Sequence, residues 1–377
     1  MITVTRCFWA AGVVLVATAL GAASHSPGIS INSDRTSALL PGDELAGYDA
    51  GHLESSRPYE RGKVPVVFVH GLWGSPRNWD RMIADLDADP ALRRNFQFWA
   101  VRYASGDSIL YSAHVLRQSL RRARRVLDPD GTDAAFGRMV VVGHSLGGIL
   151  AKMMVQSGGP RLWQSVCARP IDQVIGPSEE CQLVRQAFFY KPVPEVSRVI
   201  FIASPHRGSP LASGRFRELG SQLSRRPDPF SHAYAVLLSA NDSSVFSAAS
   251  RDRLPSSMGE LAPGHPLLLT VRDLGIGESI GSHSVIADLR ESPRPGGTDG
   301  IVPYLSSHLD GVASELVVHG SHFCVNDPTV VAEVGRILIE HSGSESARLI
   351  DDQSSGHSSS TTPPGRQHGP RERCPHP

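Results

Sequence analysis

The sequence predicts an α/β architecture: a mostly parallel, doubly wound sheet with helices on both faces and a cap or lid inserted above it. Three observations carry that prediction. Short apolar runs alternate with longer stretches of helical periodicity. The runs are continuously apolar rather than alternating, which signals burial on both faces, as in a parallel sheet covered by helices. A Gly-x-Ser-x-Gly sequence sits directly between one such run and one such helix.

Taken in order, strands are expected at residues 64–69 (interrupted only by Pro65), 96–101, 138–142, 199–203, 284–287 and 315–318. Helices are expected at 79–86, 108–127, 148–156 and 328–341. The last begins with Asp327 as N-cap and Pro328 in the first turn, where a missing N–H costs nothing. Residues 158–195 and 209–280 break the alternation and read as cap or lid insertions within one domain spanning 46–342. Ahead of it, Arg6, an apolar run from Phe8 to Leu20 and the small residues Gly21, Ala22, Ala23 and Ser24 make residues 1–24 a secretory signal peptide. The run is short for a membrane span, which needs ~20 residues, so an uncleaved anchor is the alternative. The chain is therefore expected to be exported, periplasmic or secreted. Cys7 precedes the run and is badly placed for lipid attachment after cleavage. Residues 25–45 read as a linker, and 343–377, rich in Ser, Gly and Pro, as a disordered tail.

Of 377 residues, 40% are hydrophobic, ample for a core, and 37 basic side chains balance 37 acidic ones. A formal charge of zero offers no basic surface for nucleic acid. The run Arg121, Arg122, Arg124 and Arg125 falls on the outer face of a helix whose inner face is Leu116, Leu120, Ala123 and Val126. In an oxidising compartment Cys167 and Cys181 are expected to close a local loop as a disulfide, worth ~3 kcal/mol in the chain-entropy model, the alternative being two thiols. Cys/His spacing of the zinc-binding kind is missing from the sequence, and no cofactor or metal is expected.

The chemistry concentrates in Gly143-His144-Ser145-Leu146-Gly147-Gly148, directly after an apolar strand and before a helix. So sharp a turn requires glycine two residues either side of the serine, and it holds the hydroxyl above the sheet in a strained backbone. The helix behind it aims amides at charge developing beside the serine. The strand ending in His70-Gly71-Leu72-Trp73 is where such a fold gives its first oxyanion amide, so Leu72 and Leu146 are assigned to the oxyanion hole. His70 is expected to brace that loop. A serine hydroxyl needs a base to take its proton and an acid to orient the base, in the chain order Ser, acid, His. Thr298-Asp299-Gly300-Ile301-Val302-Pro303 is turn chemistry followed by an apolar anchor, which favours Asp299 over the rival Asp288. His322 lies between the last strand and the capped helix, whereas His319 ends the strand and His308 precedes it. Trp73, Trp79 and Phe188-Phe189-Tyr190 could line an acyl pocket, the plain alternative being core.

These fragments, with Ala203-Ser204-Pro205-His206-Arg207-Gly208-Ser209 and Gly320-Ser321-His322, resemble α/β-hydrolases, and within them bacterial lipases and related serine esterases, including the family that holds the GPI-inositol deacylases. The resemblance covers about 64–340. It implies a lidded sheet and hydrolysis of small-molecule or lipid carboxylic esters by Ser145, Asp299 and His322, with transient contact to a lipid surface. The Pro-His-Arg-Gly-Ser element is expected to floor the site, Arg207 making internal hydrogen bonds, with a direct role for His206 as the alternative. Bacterial lipases of this kind carry a calcium-binding aspartate two residues after the catalytic histidine, and Cys324 stands there instead, so no calcium is expected. An acyltransferase, thioesterase or amidase would use the same residues. A non-catalytic binding protein with this fold is a further alternative, and a dehalogenase would need aspartate at Ser145.

Overall fold

The computed structural model describes residues 37–40, 51–212, 228–247, 251, 254–293 and 295–355, with backbone only for 37–38 and 344–355. The expected signal peptide, Cys7, Cys374, nearly all of the linker and the tail beyond Ser355 lie outside these residues. The chain divides into two compact units, Met1–Ser37 and Ala38–Pro377, and apart from Ser37 every described residue belongs to the second.

The first described strand is the two-residue β1 (Ser37–Ala38). Seven further strands follow: β2 (His52–Ser55), β3 (Val64–Val69), β4 (Phe96–Arg102), β5 (Met139–His144), β6 (Val196–Ile202), β7 (Gly281–Asp288) and β8 (Ser314–His319). They lie in the order β2-β4-β3-β5-β6-β7-β8. All neighbours are parallel except β2, which runs antiparallel to β4. Every strand expected from an apolar run is present. Two strands were unforeseen: β1, within the expected linker, is only two residues long, and β2 has a single large apolar residue, Leu53, and so no run to reveal it. Strands β6 and β7 each start three residues earlier than expected, because Arg198, Ser282 and His283 at their beginnings are polar yet buried.

Period-two alternation then divides the strand side chains between two cores. Val67, Val69, Trp99, Val101, Val141, Val199 and Phe201 face one side. Val66, Phe68, Phe98, Val140, Val142, Ile200 and Ile202 face the other. The second face is covered by α1 (Asp80–Ala88), α2 (Pro90–Asn95) and the last helix, whose Met82, Leu86, Leu92, Val334 and Ile337 are buried there. The first is covered by α3 (Ile109–Leu127) and α4 (Leu146–Met154).

The described parts of 158–195 and 209–280 carry α5 (Pro160–Gln164), α6 (Ser178–Phe188), α7 (Pro229–Ala240), α8 (Ser257–Glu260) and α9 (Pro266–Asp273). Trp163, Val184, Phe188, Phe230, Leu237, Leu267 and Val271 join the same buried cluster as α3 and α4, so these helices thicken one face of the domain. Helix α10 (Pro328–Ser355) starts as expected, Thr329 N–H donating to the Asp327 carboxylate at 2.8 Å. It does not stop at His341. The backbone stays helical to Ser355, and Glu345, Ala347, Arg348 and Leu349 are strong helix formers.

The expected Cys167–Cys181 disulfide is not formed; both are free thiols. Cys167 is buried beside Phe246 with its thiol 3.5 Å from the Arg169 carbonyl, while Cys181 sits on α6 next to Gly176. Core packing has turned the two sulfurs to different neighbours. Among the described residues no helix is long and apolar enough to cross a membrane, and no cluster of His, Cys, Asp and Glu could hold a metal.

Candidate active site

Strand β5 ends at His144 and α4 begins at Leu146, leaving one residue for the turn. Ser145 makes it with φ 54° and ψ −123°, a left-handed conformation costing a side-chain-bearing residue about 1–3 kcal/mol. The flanking glycines answer to backbone collisions. A Cβ on Gly143 would fall 2.2 Å from the Gly147 carbonyl oxygen, and one on Gly147 would fall 2.1 Å from that of Val69. The strained residue is tied down by its own N–H, which donates to the Ile202 carbonyl at 2.9 Å.

Two residues distant in sequence meet its hydroxyl. His322 Nε2 lies 2.9 Å from Ser145 Oγ, and His322 Nδ1 lies 2.7 Å from Asp299 Oδ2. A carboxylate only accepts, so Nδ1 carries the proton, and the bare Nε2 accepts from the serine O–H. The other carboxylate oxygen of Asp299 accepts the N–H groups of Ile301 at 2.8 Å and Val302 at 2.6 Å. The His322 N–H donates to the Asp299 carbonyl at 3.0 Å, joining the two loops. All three residues are buried.

The rivals are engaged elsewhere. Asp288 pairs with the Arg290 guanidinium, Nε to Oδ2 being 2.7 Å. His319 Nδ1 is directed at the Arg290 carbonyl, and His308 sits between Glu315 and Asp310. His70 donates from Nδ1 to the Gly71 carbonyl at 2.9 Å and stacks on Tyr103 at 4.3 Å, whose hydroxyl in turn donates to the His70 carbonyl. Burial lowers its pKa to about 4, a neutral brace for the loop. His206 is buried edge-on to Phe201, and burial holds it well below the usual histidine range. Arg207 Nη1 donates to the Leu305 carbonyl at 2.6 Å.

Leu146 is the first residue of α4, where helix geometry leaves the N–H without an intrahelical partner. Gly71 brings the other loop close, since a Cβ there would lie 3.0 Å from Ser145 Cβ, and Leu72 follows it. Trp73 is 42% exposed at φ 57°, its N–H donating to Ser105 Oγ at 2.8 Å. Trp79 is wholly buried 5.0 Å from Phe68, and Phe188 and Tyr190 are buried too, so these aromatics are core rather than an open pocket. Cys324 is buried beside the base loop, and burial pushes its thiol up to about 12, leaving it inert. Sequence reasoning gave His144 no role. The structure turns its Nε2 to the His322 carbonyl at 2.8 Å, a contact across 178 positions that only the folded chain reveals.

A family model described as alpha/beta hydrolase family matches residues 66–366. Curated proteins give no match. Solved structures similar to this chain include a Bacillus licheniformis lipase in its mature form, at 17% identity and TM-score 0.40, covering 78% of this chain and 99% of that one. Another is a phospholipase from Legionella pneumophila, at 16% identity and TM-score 0.42, covering 72% of this chain and 55% of that one. A thermophilic esterase from Thermogutta terrifontis with butyrate bound shares 12% identity at TM-score 0.41, over 81% of this chain and 93% of that one.

Proposed function

The chain belongs to the alpha/beta hydrolase family, and from that premise we propose that it cleaves carboxylic esters of small molecules or lipids through an acyl-enzyme on Ser145. The observation that carries this reading is the unbroken line Ser145 Oγ, His322 Nε2, His322 Nδ1, Asp299 Oδ2, with links of 2.9 and 2.7 Å.

In the first step Ser145 Oγ attacks the ester carbonyl while His322 Nε2 takes the hydroxyl proton. Asp299, held by two backbone N–H groups, keeps the imidazole in its Nδ1–H tautomer and balances the charge it gains. The carbonyl oxygen becomes an oxyanion facing the N–H groups of Leu72 and Leu146, donors whose individual loss typically costs ~10²–10³ in rate. His322 gives the proton to the departing alkoxide, the alcohol leaves, and the acyl group stays on Oγ. Water, deprotonated by the same Nε2, attacks the acyl carbon, the bond to Oγ breaks as Nε2 returns the proton to Ser145, and the carboxylic acid leaves. Trp73, exposed beside the oxyanion loop, is the side chain best placed to meet the substrate.

A series of nitrophenyl esters of rising acyl length tests this. Wild-type protein is expected to turn them over, with a burst of about one nitrophenol per chain where deacylation is slow. Ser145→Ala is expected to abolish both burst and turnover. An unchanged rate in that variant, or no turnover of any ester by folded wild type, contradicts the reading.

A further inference from the structure

His144 stands between Gly143 and the nucleophile as the last residue of β5, and the reaction above gives it nothing to do. Its Nε2 lies 2.8 Å from the His322 carbonyl oxygen. A carbonyl can only accept, so Nε2 carries the proton and Nδ1 is bare. Burial lowers the pKa of the ring to about 3, which keeps it in that neutral form at working pH. The ring sits 4.9 Å from the His322 ring, tilted by 47°, with Trp79 edge-on at 6.5 Å behind it. Gly71 closes the third side, since a Cβ there would fall 3.1 Å from His144 Nδ1. One imidazole therefore abuts the oxyanion loop, adjoins the nucleophile in sequence, and grips the main chain of the base.

That grip matters because His322 lies in a short turn whose next residue, Phe323, is 52% exposed and meets the His322 ring edge-on, centroids 5.6 Å apart, without holding its main chain. The main chain of His322 has two attachments: its N–H to Asp299 and its carbonyl to His144. We propose that His144 is a positioning residue, whose Nε2–H fixes the backbone of His322 so that the imidazole stays in line between Ser145 and Asp299. It exchanges no proton with the substrate. The proposal rests on the acyl-transfer reading of those three residues. Its expected size follows from geometry, since a shift of ~1 Å in a reacting group costs on the order of 10²-fold in rate.

Two variants separate the donor from the ring. His144→Phe keeps an aromatic ring of similar size without the donor. His144→Gln keeps an N–H donor of similar reach without the ring. The Phe variant is expected to lose kcat by about 10- to 100-fold with KM within about twofold of wild type, and the Gln variant to recover to within about fivefold of the wild-type kcat. Nitrogen NMR of histidine-labelled, full-length wild type is expected to show one ring, absent in the Gln variant, protonated on Nε2 and not titrating between about pH 5.5 and 8.5. Unchanged kcat in the Phe variant, or a Gln variant as impaired as the Phe one, overturns the proposal. So does a ring that titrates or carries its proton on Nδ1, a measurement on wild type that decides the matter if His144→Phe does not fold. If wild type neither hydrolyses esters nor forms an acyl-enzyme, the functional reading has failed, while the NMR result still tests the hydrogen bond alone.

Discussion

At the scale of single residues, the site divides two nearby carboxylates by what each is bonded to. Asp299 aims one oxygen at His322 and ties the other to two backbone N–H groups, whereas Asp288 is committed to Arg290. Asp299→Asn is therefore expected to lower kcat by roughly 10⁴, because the amide favours the wrong imidazole tautomer. Asp288→Asn is expected to leave kcat within about threefold, since its carboxylate is paired with the Arg290 guanidinium. Steady-state kinetics on both variants checks this, and equal losses would contradict the assignment. Much at this scale was legible in the sequence. Gly143 and Gly147 on either side of Ser145 announce the turn because a side chain at either would collide with the backbone, and Asp-Gly-Ile-Val-Pro announces a carboxylate held by its own turn. The bond from His144 to His322 was not legible, because it depends on the approach of two loops that no local pattern encodes.

Among the elements, helix α3 shows how the inserted residues bind to the sheet domain. Its first N–H groups are capped from two directions. Ser108 accepts from the Leu110 N–H at 3.2 Å, and Glu260 of α8 accepts from the Ile109 N–H at 2.6 Å and from the Ser108 hydroxyl at 2.9 Å. Burial, with the Asp228 carboxylate adding to it, pushes Glu260 up to about 8 from its ordinary 4.5. Between those values the folded protein keeps a proton that the unfolded chain has released, so this group's contribution to stability falls as pH rises through the window and levels off above it. Glu260→Gln cannot ionise and removes that slope. Urea unfolding of both proteins at about pH 5 and pH 8.5 is expected to show the variant gaining on wild type at the higher pH, and parallel behaviour would contradict the buried-acid account. The strands and helices around the sheet were readable from continuous apolar runs and 3.6-residue periodicity. The helices of 158–195 and 209–280 were not, because they bury against other helices rather than the sheet and their apolar residues follow no strand. The Cys167 and Cys181 thiols were misread for a related reason: closeness in sequence says nothing about which way a packed sulfur points.

For the whole molecule, burial of histidine sets the response to acid. His70, His114, His283 and His341 are each lowered to about 4, and His144 to about 3, mainly by desolvation. In the unfolded chain these rings take up protons near 6.5, so the stability they contribute is fully present above that value and is lost as pH falls from about 6.5 towards 4. Five such groups outweigh the opposite contributions of Glu260 and of His308, which its hydrogen bond to Glu315 raises, over the same range. The thermal midpoint is therefore expected to drop steeply between pH 7.5 and about pH 5, and a flat midpoint would contradict the neutral burial of these rings. Folding of the entire domain is also what brings residue 322 to residue 145 across 177 positions, and residue 299 to residue 322 across 23. That convergence is tested most directly by reacting the protein with a fluorophosphonate and mapping the adduct by mass spectrometry. The account predicts one adduct per chain on Ser145, absent in Ser145→Ala and strongly slowed in His322→Ala; an adduct on another residue, or labelling that both variants retain, would contradict it.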